Sequence, residues 1–395
     1  MSRRLPNMRI AIPIHSFEPG GVERVALRLA HRWQEAGEQV TIVLGRNEGR
    51  CKNDAPPLDY FTLPEPFSSA SWETIWMIWS LYRFLLTERV DVLFCPGNTY
   101  TIVCVVMRLL LGERCPPVLV KISNDLERQD LPRALRPPYR FWLRIQGFFL
   151  DHFVALAGPM LPGIVERLGI GRDKATVISD PALSECELEQ LSETRLHRVP
   201  SGCCFLSVGR LVSQKNHALL IEAFERHSSP DDRLVIAGEG PERRSLEALV
   251  DRRGLKDRVS LIGHSDDIAG LLEQADVFAL SSDYEGVPAV VIEALAAGVP
   301  IAATDCCDSM EWLLQHGRFG VTAPVRDAHG LGAAMNAARH LTPLHREMAD
   351  FVAQFTIEHA AGAYLFAMQA LCVSRTGSQF TELDWYVREP HERGV

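Results

Sequence analysis

Apolar and polar positions along this chain follow two alternating rhythms. Short runs apolar at almost every position recur at 8–14 (MRIAIPI), 39–44, 90–95, 118–122, 153–157 and 175–178. That is the signature of strands covered on both faces, as in a parallel sheet. Between the first two, Val22, Val25, Leu29 and Trp33 fall at helical spacing over 22–36, and Gly37 ends the run. Residues 72–86 (WETIWMIWSLYRFLL) form a second, aromatic-rich helix. After a polar, poorly periodic stretch at 183–200, which reads as a linker, strands restart at 203–208, 233–237, 259–262, 275–282 and 300–304. Helices are predicted between them at 217–224, 243–253, 268–274 and just beyond Pro288, and further ones at 335–342 and 343–371.

Strand and helix in turn predict an α/β protein, with a doubly wound parallel sheet in each half. The expected division is 1–182, a linker 183–200, a second domain 201–354, and a terminal helix and tail 355–395. In doubly wound sheets the ligand sits at the carboxyl ends of the strands. In the second half those ends are Gly209-Arg210, Gly238, Gly263 and Ser281-Ser282.

The totals narrow the classes. A chain of 395 residues fits two α/β domains, each able to bury its own core. A net charge of −9 argues against general nucleic-acid binding, so recognition of phosphate must be local. The ten cysteines include no C-x-x-C pair, which fits reduced, buried thiols in the cytoplasm. The opening MSRRLPNMRIAIPIHSF lacks the features of a signal peptide. The longest apolar run, 101–111, contains Arg108 and is too short to span a bilayer.

Chemistry concentrates at 281–298, SSDYEGVPAVVIEALAAG. A buried strand, a turn with Gly286 and Pro288, and a helix opening at the proline together make an anion pocket of free N–H groups and positive dipole. Two carboxylates, Glu285 in the turn and Glu293 in the helix, would repel an anion unless they bind hydroxyls beside it. A nucleotide sugar supplies both chemistries. Arg210 and Lys215, five apart after a strand end, are either a diphosphate clamp or solvated surface charge. Gly20-Gly21 suits either close approach of backbone to a ligand or a plain turn, and the loop lacks G-x-G-x-x-G, which weakens an oxidoreductase reading. No D-x-D metal motif stands in a suitable loop.

Arg133, Arg136, Arg140 and Arg144 repeat at helical spacing within 133–153, with Phe141, Ile145, Phe148 and Phe149 on another face. Such a stretch either lies on an anionic membrane surface or packs on the core with a solvated arginine face. Pro137-Pro138 place the helix start near Pro138.

Four stretches together carry a family resemblance: GGVERVALRLA at 20–30, FLSVGRLVSQKNHALLIEAF at 205–224, LVIAGEGPERRSLEAL at 234–249 and ADVFALSSDYEGVPAVVIEALAAGVPIAATD at 275–305. They resemble the retaining glycosyltransferases of family 4, group 1, with the GT-B fold. The resemblance implies two facing Rossmann-like domains, the second for the nucleotide sugar (a UDP-, GDP- or ADP-sugar) and the first for a hydroxyl acceptor. It implies a terminal helix crossing back to the first domain, a retaining and metal-independent transfer, and no cofactor. By the same resemblance, Arg210 and Lys215 hold the diphosphate, Glu285 contacts the sugar near the reacting carbon, and Glu293 binds the ribose. Backbone at Gly286, Val287 and Pro288 meets sugar and phosphate, with Gly209 and Gly238 alongside. Backbone near His264 meets the base, and Gly20 and Gly21 reach the phosphates from across the cleft. Where many relatives have histidine, this chain reads Ser123-Asn124-Asp125. Asn124 can position acceptor or sugar but cannot be a general base; His15 is the nearest alternative, or a structural histidine. The acceptor implied is a glycan, lipid-linked in envelope or exopolysaccharide assembly, used at the inner face of the cell membrane. An epimerase, a phosphorylase and a non-catalytic nucleotide-sugar binder are the competing readings.

Overall fold

The computed structural model describes residues 7–18, 20–65, 69, 71–124, 126, 132–193, 202–342 and 344–375. Two parallel sheets organise them. The first contains β1 (Arg9–Ile14), β2 (Gln39–Leu44), β3 (Asp59–Thr62), β4 (Val92–Cys95), β5 (Val118–Lys121), β6 (His152–Ala155) and β7 (Ala175–Val177), in the order β3-β2-β1-β4-β5-β6-β7. The second contains β8 (Cys204–Val208), β9 (Arg233–Ala237), β10 (Val259–Gly263), β11 (Val277–Leu280), β12 (Ile301–Thr304) and β13 (Gly320–Ala323), in the order β10-β9-β8-β11-β12-β13. Strands β4, β5, β6, β11 and β12 are buried at every position, which is why they read as runs apolar at almost every position. In each sheet the strand order reverses once, between β1 and β4 and between β8 and β11. Those two switch points are where a doubly wound sheet opens a crevice for ligand.

Helices α1 (Gly21–Glu35), α2 (Glu73–Thr87), α3 (Thr101–Leu111), α4 (Arg136–Phe149) and α5 (Met160–Leu168) belong to the first sheet, and α6 (Glu185–Ser192) leads out of it. The second sheet carries α7 (His217–His227), α8 (Arg243–Arg252), α9 (Ile268–Glu273), α10 (Ala289–Ala296), α11 (Met310–Leu313), α12 (Ala328–Ala338) and α13 (His345–Val352). The last helix, α14 (Ile357–Arg375), turns back to the first sheet and packs on α1. Trp33 Nε1 donates to the Ala361 carbonyl at 3.0 Å, and the Trp33, Phe94 and Tyr364 rings meet edge to face. Such contacts are worth about 0.5–1.5 kcal/mol each beyond the area they bury.

Three readings of the pattern need correction. The stretch 183–200 is not featureless: α6 occupies part of it, closed by a capping box in which Ser184 and Glu187 satisfy each other's backbone N–H groups. Residues 194–200 of that stretch lie outside the described residues, as do Asp125 and the tail 376–395. Helix α4 begins at Arg136, ahead of the prolines, because prolines in a first turn lack only N–H groups that would be unbonded there. Near the end, the helices are α12, α13 and α14, broken at 353–356, where Thr356 ties back to Ala353.

Candidate active site

The carboxyl ends of the two sheets meet. Ser123 and Asn124 follow β5, Gly286 follows β11, and a Cβ built on Gly286 would stand 2.4 Å from the Ser123 carbonyl oxygen and 3.1 Å from Asn124 Cα. Only glycine admits that approach. Asn98, just past β4, holds the opposing loop: its Oδ1 accepts from Ser123 N–H at 2.9 Å and its Nδ2 donates to the Asn124 carbonyl.

On the second sheet, the loops after β8 and β11 flank the switch point and are laced together. Lys215 Nζ donates to Glu285 Oε1 at 2.5 Å, and Ser282 Oγ donates to the same oxygen at 2.7 Å. Glu285 N–H donates to the Cys306 carbonyl, so the acid is held from both ends. Ser281 Oγ caps the Lys215 carbonyl, Gln214 Nε2 reaches the Tyr284 carbonyl, and Asn216 Nδ2 reaches Asp283. Glu285 is 8% exposed. A buried carboxylate needs such a partner set, because an unpaired one would be costly in this setting. Lys215 and Glu285 are therefore a partly buried ion pair and not solvated surface charge.

Arg210 stands apart, exposed beside this pair at the end of β8. Gly209 and Gly238 bring the ends of β8 and β9 together: Gly238 has φ +150°, and a Cβ there would lie 1.9 Å from the Gly209 carbonyl. A Cβ on Gly209 would lie 3.4 Å from Lys215 Cε, an ordinary contact, which places the end of β8 against the lysine stem. Pro288 is the N-cap of α10, with no side-chain cap, and leaves the first N–H groups of that helix beside Gly286 and Val287. His264 lies further along the same edge, exposed, with Nε2 3.2 Å from Asp266.

Glu293, on α10, faces the first sheet's helices. Burial pushes its pKa up to about 7, opposed by Arg24 and Arg28 of α1 and reinforced by Glu187 of α6. Arg28 itself is ion-paired with Glu187. Gly20 is the N-cap of α1, Gly21 opens it, and a Cβ on Gly21 would meet nothing within 4 Å. Nearby, His15 stacks on Tyr100 at 4.7 Å, and Tyr100 donates to Glu23 at 2.8 Å. Burial holds the His15 imidazole below its ordinary range. Both lie at the first switch point, between β1 and β4.

The structure thus brings together Lys215, Glu285, Gly286 and Asn124, places Arg210 at their edge, and puts Glu293 on the cleft wall. Asn98, Ser282, Arg24 and Tyr100 join the site without having been singled out. For Asn98, Arg24 and Tyr100 the signal in sequence is weak, since each acts on a partner distant along the chain, whereas Ser282 bonds Glu285 three residues on. Of the basic stretch, Arg133, Arg140 and Arg144 are exposed and Arg136 is half-buried; Arg133 belongs to a separate 3-10 turn before α4.

Residues 19–181 match the family described as Glycosyltransferase Family 4, and residues 201–354 match Glycosyl transferases group 1. The lipopolysaccharide core biosynthesis glycosyltransferase LpsD of Rhizobium meliloti is 33% identical over 335 residues, covering 82% of this chain and 87% of LpsD. The chain belongs to the group 1, family 4 glycosyltransferases. Other relatives of this glycosyltransferase align over less of their length. LpsE of the same organism is 29% identical over 52% of this chain and 61% of its own. An N-acetylgalactosaminyltransferase of Campylobacter jejuni, named for a diphospho-undecaprenol-linked acceptor, is 31% identical over 43% of this chain and 46% of its own. The fold is GT-B: the lipopolysaccharide outer core galactosyltransferase WaaB superposes with a TM-score of 0.70 over 92% of this chain and 99% of that one, at 16% identity. Anabaena HepE, solved with UDP, does so at 0.68, covering 92% and 100%, at 16% identity.

Proposed function

We propose that this glycosyltransferase moves a sugar from a nucleoside-diphosphate sugar to a hydroxyl of a glycan acceptor, with retention and without a metal. The observation that carries the reading is the contact of Ser123-Asn124 on Gly286, which sets the loop after β5 of the first sheet against the Lys215–Glu285 pair. Donor binds on the second domain. Arg210 and Lys215 hold its diphosphate, with Gly20 and Gly21 reaching it from α1. Backbone at Gly286, Val287 and Pro288 meets sugar and phosphate, backbone by His264 meets the base, and Glu293 takes the ribose hydroxyls. Glu285 holds the sugar beside its reacting carbon.

In the reaction the bond from that carbon to the diphosphate oxygen breaks, and a bond to the acceptor oxygen forms on the same face. The departing diphosphate takes the acceptor proton. Arg210 and Lys215 stand ready for the charge that develops on it, and one such preorganised donor is worth about 3 kcal/mol of barrier. Asn124 orients the acceptor or the sugar, while His15, neutral beside Tyr100, stands on the acceptor side. The acceptor is a lipid-linked glycan of envelope or exopolysaccharide assembly, a reading supported by the names of LpsD and the Campylobacter enzyme, met at the cytoplasmic face of the membrane through Arg133, Arg136, Arg140 and Arg144.

The test is turnover with UDP-, GDP- and ADP-sugars, with NMR of the product's anomeric proton and a parallel reaction in chelator. One donor should be consumed, the anomer kept, and chelator should change nothing. Inversion, or a chelator-sensitive rate, would refute the corresponding part, and full turnover by a Glu285→Ala variant would refute the site.

A further inference from the structure

Of the eleven large hydrophobic side chains exposed among the described residues, nine lie on α2, α3, α4 or the short turn before α4. Chance would scatter them. These three helices pack side by side on one face of the first sheet. Each shows an outward stripe at helical spacing. On α2 it runs Ile75, Trp79, Arg83, Leu86, with the Arg83 guanidinium 5.7 Å above the Trp79 ring. On α4, Arg140, Phe141, Arg144 and Phe148 point outward, and Phe148 is 80% exposed.

Helix α3 is the decisive member. Its inward side is apolar and buried, as a core helix requires, yet its outward side is apolar too: Ile102, Leu109 and Leu110 are all exposed. A helix apolar all round is normally covered on all sides. The one charge it carries, Arg108, is turned aside to Asp151. Charge on the face is one-sided as well. In a chain of net charge −9, the exposed charges within α2, α3 and α4 are Arg83, Arg140 and Arg144, and their single acid, Glu73, is paired with Arg46. No helix among the described residues is long and apolar enough to cross a membrane. A surface of outward leucine, tryptophan and phenylalanine interleaved with arginine fits the headgroup layer of an anionic bilayer: apolar tips enter the acyl boundary, guanidinium groups stay with the phosphates.

We infer that the outward face of α2, α3 and α4 is a single bilayer-insertion surface for anionic lipid, with α3 and α2 supplying the apolar contact and α4 most of the charge. The inference rests on the lipid-linked acceptor proposed above and deepens it, since an arginine stripe alone would give salt-sensitive docking without insertion. The helices begin where the strands of a parallel sheet end, so their first turns lie toward the cleft. An acceptor whose lipid tail stays in the bilayer could then present its glycan at the cleft.

The test uses the full chain and sedimentation with vesicles of phosphatidylcholine, alone or mixed equally with phosphatidylglycerol, at low and high salt. Three proteins are compared: wild type, Leu109→Ser/Leu110→Ser, and Arg133→Gln/Arg140→Gln/Arg144→Gln, each first shown to melt as the wild type does. The arginine variant should lose roughly a hundredfold in binding to the anionic vesicles at low salt, about fivefold per charge. The leucine variant should lose about tenfold at both salt concentrations, because apolar insertion is not screened. Bromine-labelled acyl chains should quench wild-type tryptophan fluorescence and quench a Trp79→Phe variant less. Unchanged binding by the leucine variant overturns insertion and leaves arginine docking standing. Failure of the wild type to bind either vesicle overturns both. A concentration-dependent dimer abolished by the leucine changes would overturn the inference by making this face a contact between copies of the chain.

Discussion

Replacing Glu293 by glutamine separates what this carboxyl costs the fold from what it does for the donor. Its pKa rises from an ordinary 4.5 to about 7 through burial, despite Arg24 and Arg28. The folded chain therefore holds the proton more tightly than the unfolded chain does. Stability contributed at this position is full below about 4.5 and falls as pH rises toward about 7, because there the unfolded state binds fewer protons. At roughly 1.4 kcal/mol per pH unit, the whole window amounts to about 3 kcal/mol, an upper figure since the residue is half-buried. Glutamine copies the neutral acid and cannot ionise. Thermal melts of the free protein should put the variant less than about 1 kcal/mol above wild type at pH 5 and up to about 3 kcal/mol above it at pH 8. Adding nucleoside diphosphate should narrow the gap at pH 8. Ligand at a hundredfold excess over Kd stabilises by about 2.7 kcal/mol, and the variant should gain less of this, having lost the ribose-binding carboxylate. A stability difference between the two proteins that does not change with pH would refute the reasoning.

Lys215→Ala should cost about 3–5 kcal/mol, because it strands the buried Glu285; adding Glu285→Gln should recover most of that in melts while transfer stays abolished. Arg210→Ala should melt within about 0.5 kcal/mol of wild type, since the side chain is exposed, yet slow turnover by about a hundredfold to a thousandfold. Gly286→Ala should force the cleft apart, as its Cβ would stand 2.4 Å from the Ser123 carbonyl. X-ray scattering should then show a larger radius of gyration, and kcat should fall further than donor affinity.

Much of the fold was legible where burial is two-sided. The runs at β5, β6, β11 and β12 could be read directly, because central strands are covered on both faces and almost every position is apolar, with Lys121, His152 and Thr304 the buried polar exceptions. Two of the four edge strands were not: β3 (DYFT) has no buried position and β13 (GVTA) is buried only at its ends, so neither stands out from loop, whereas the edge strands β7 and β10 do. Helix α6 was missed for a related reason, since only Leu191 is buried in it and its existence is announced by the Ser184/Glu187 cap alone. Arg210, Lys215 and Glu285 drew notice as charges at strand ends, but the pairing of Lys215 with Glu285, 70 residues on, was not legible. What holds Glu293 was not, because Arg24 and Arg28 lie on a different domain and nothing local to α10 indicates them.

The return of α14 to the first sheet has a consequence for how the chain is made. The last strand of that sheet ends at Val177, whereas the Tyr364 ring that closes the Trp33–Phe94 cluster comes almost two hundred residues later. At about 5–20 residues per second, synthesis leaves that patch bare for roughly ten to forty seconds. The first domain of a nascent chain must wait, with an aromatic surface open, until the second has been translated. Chains cut short before α14 should therefore be caught by chaperones or proteases through the first domain, however complete its own strands are.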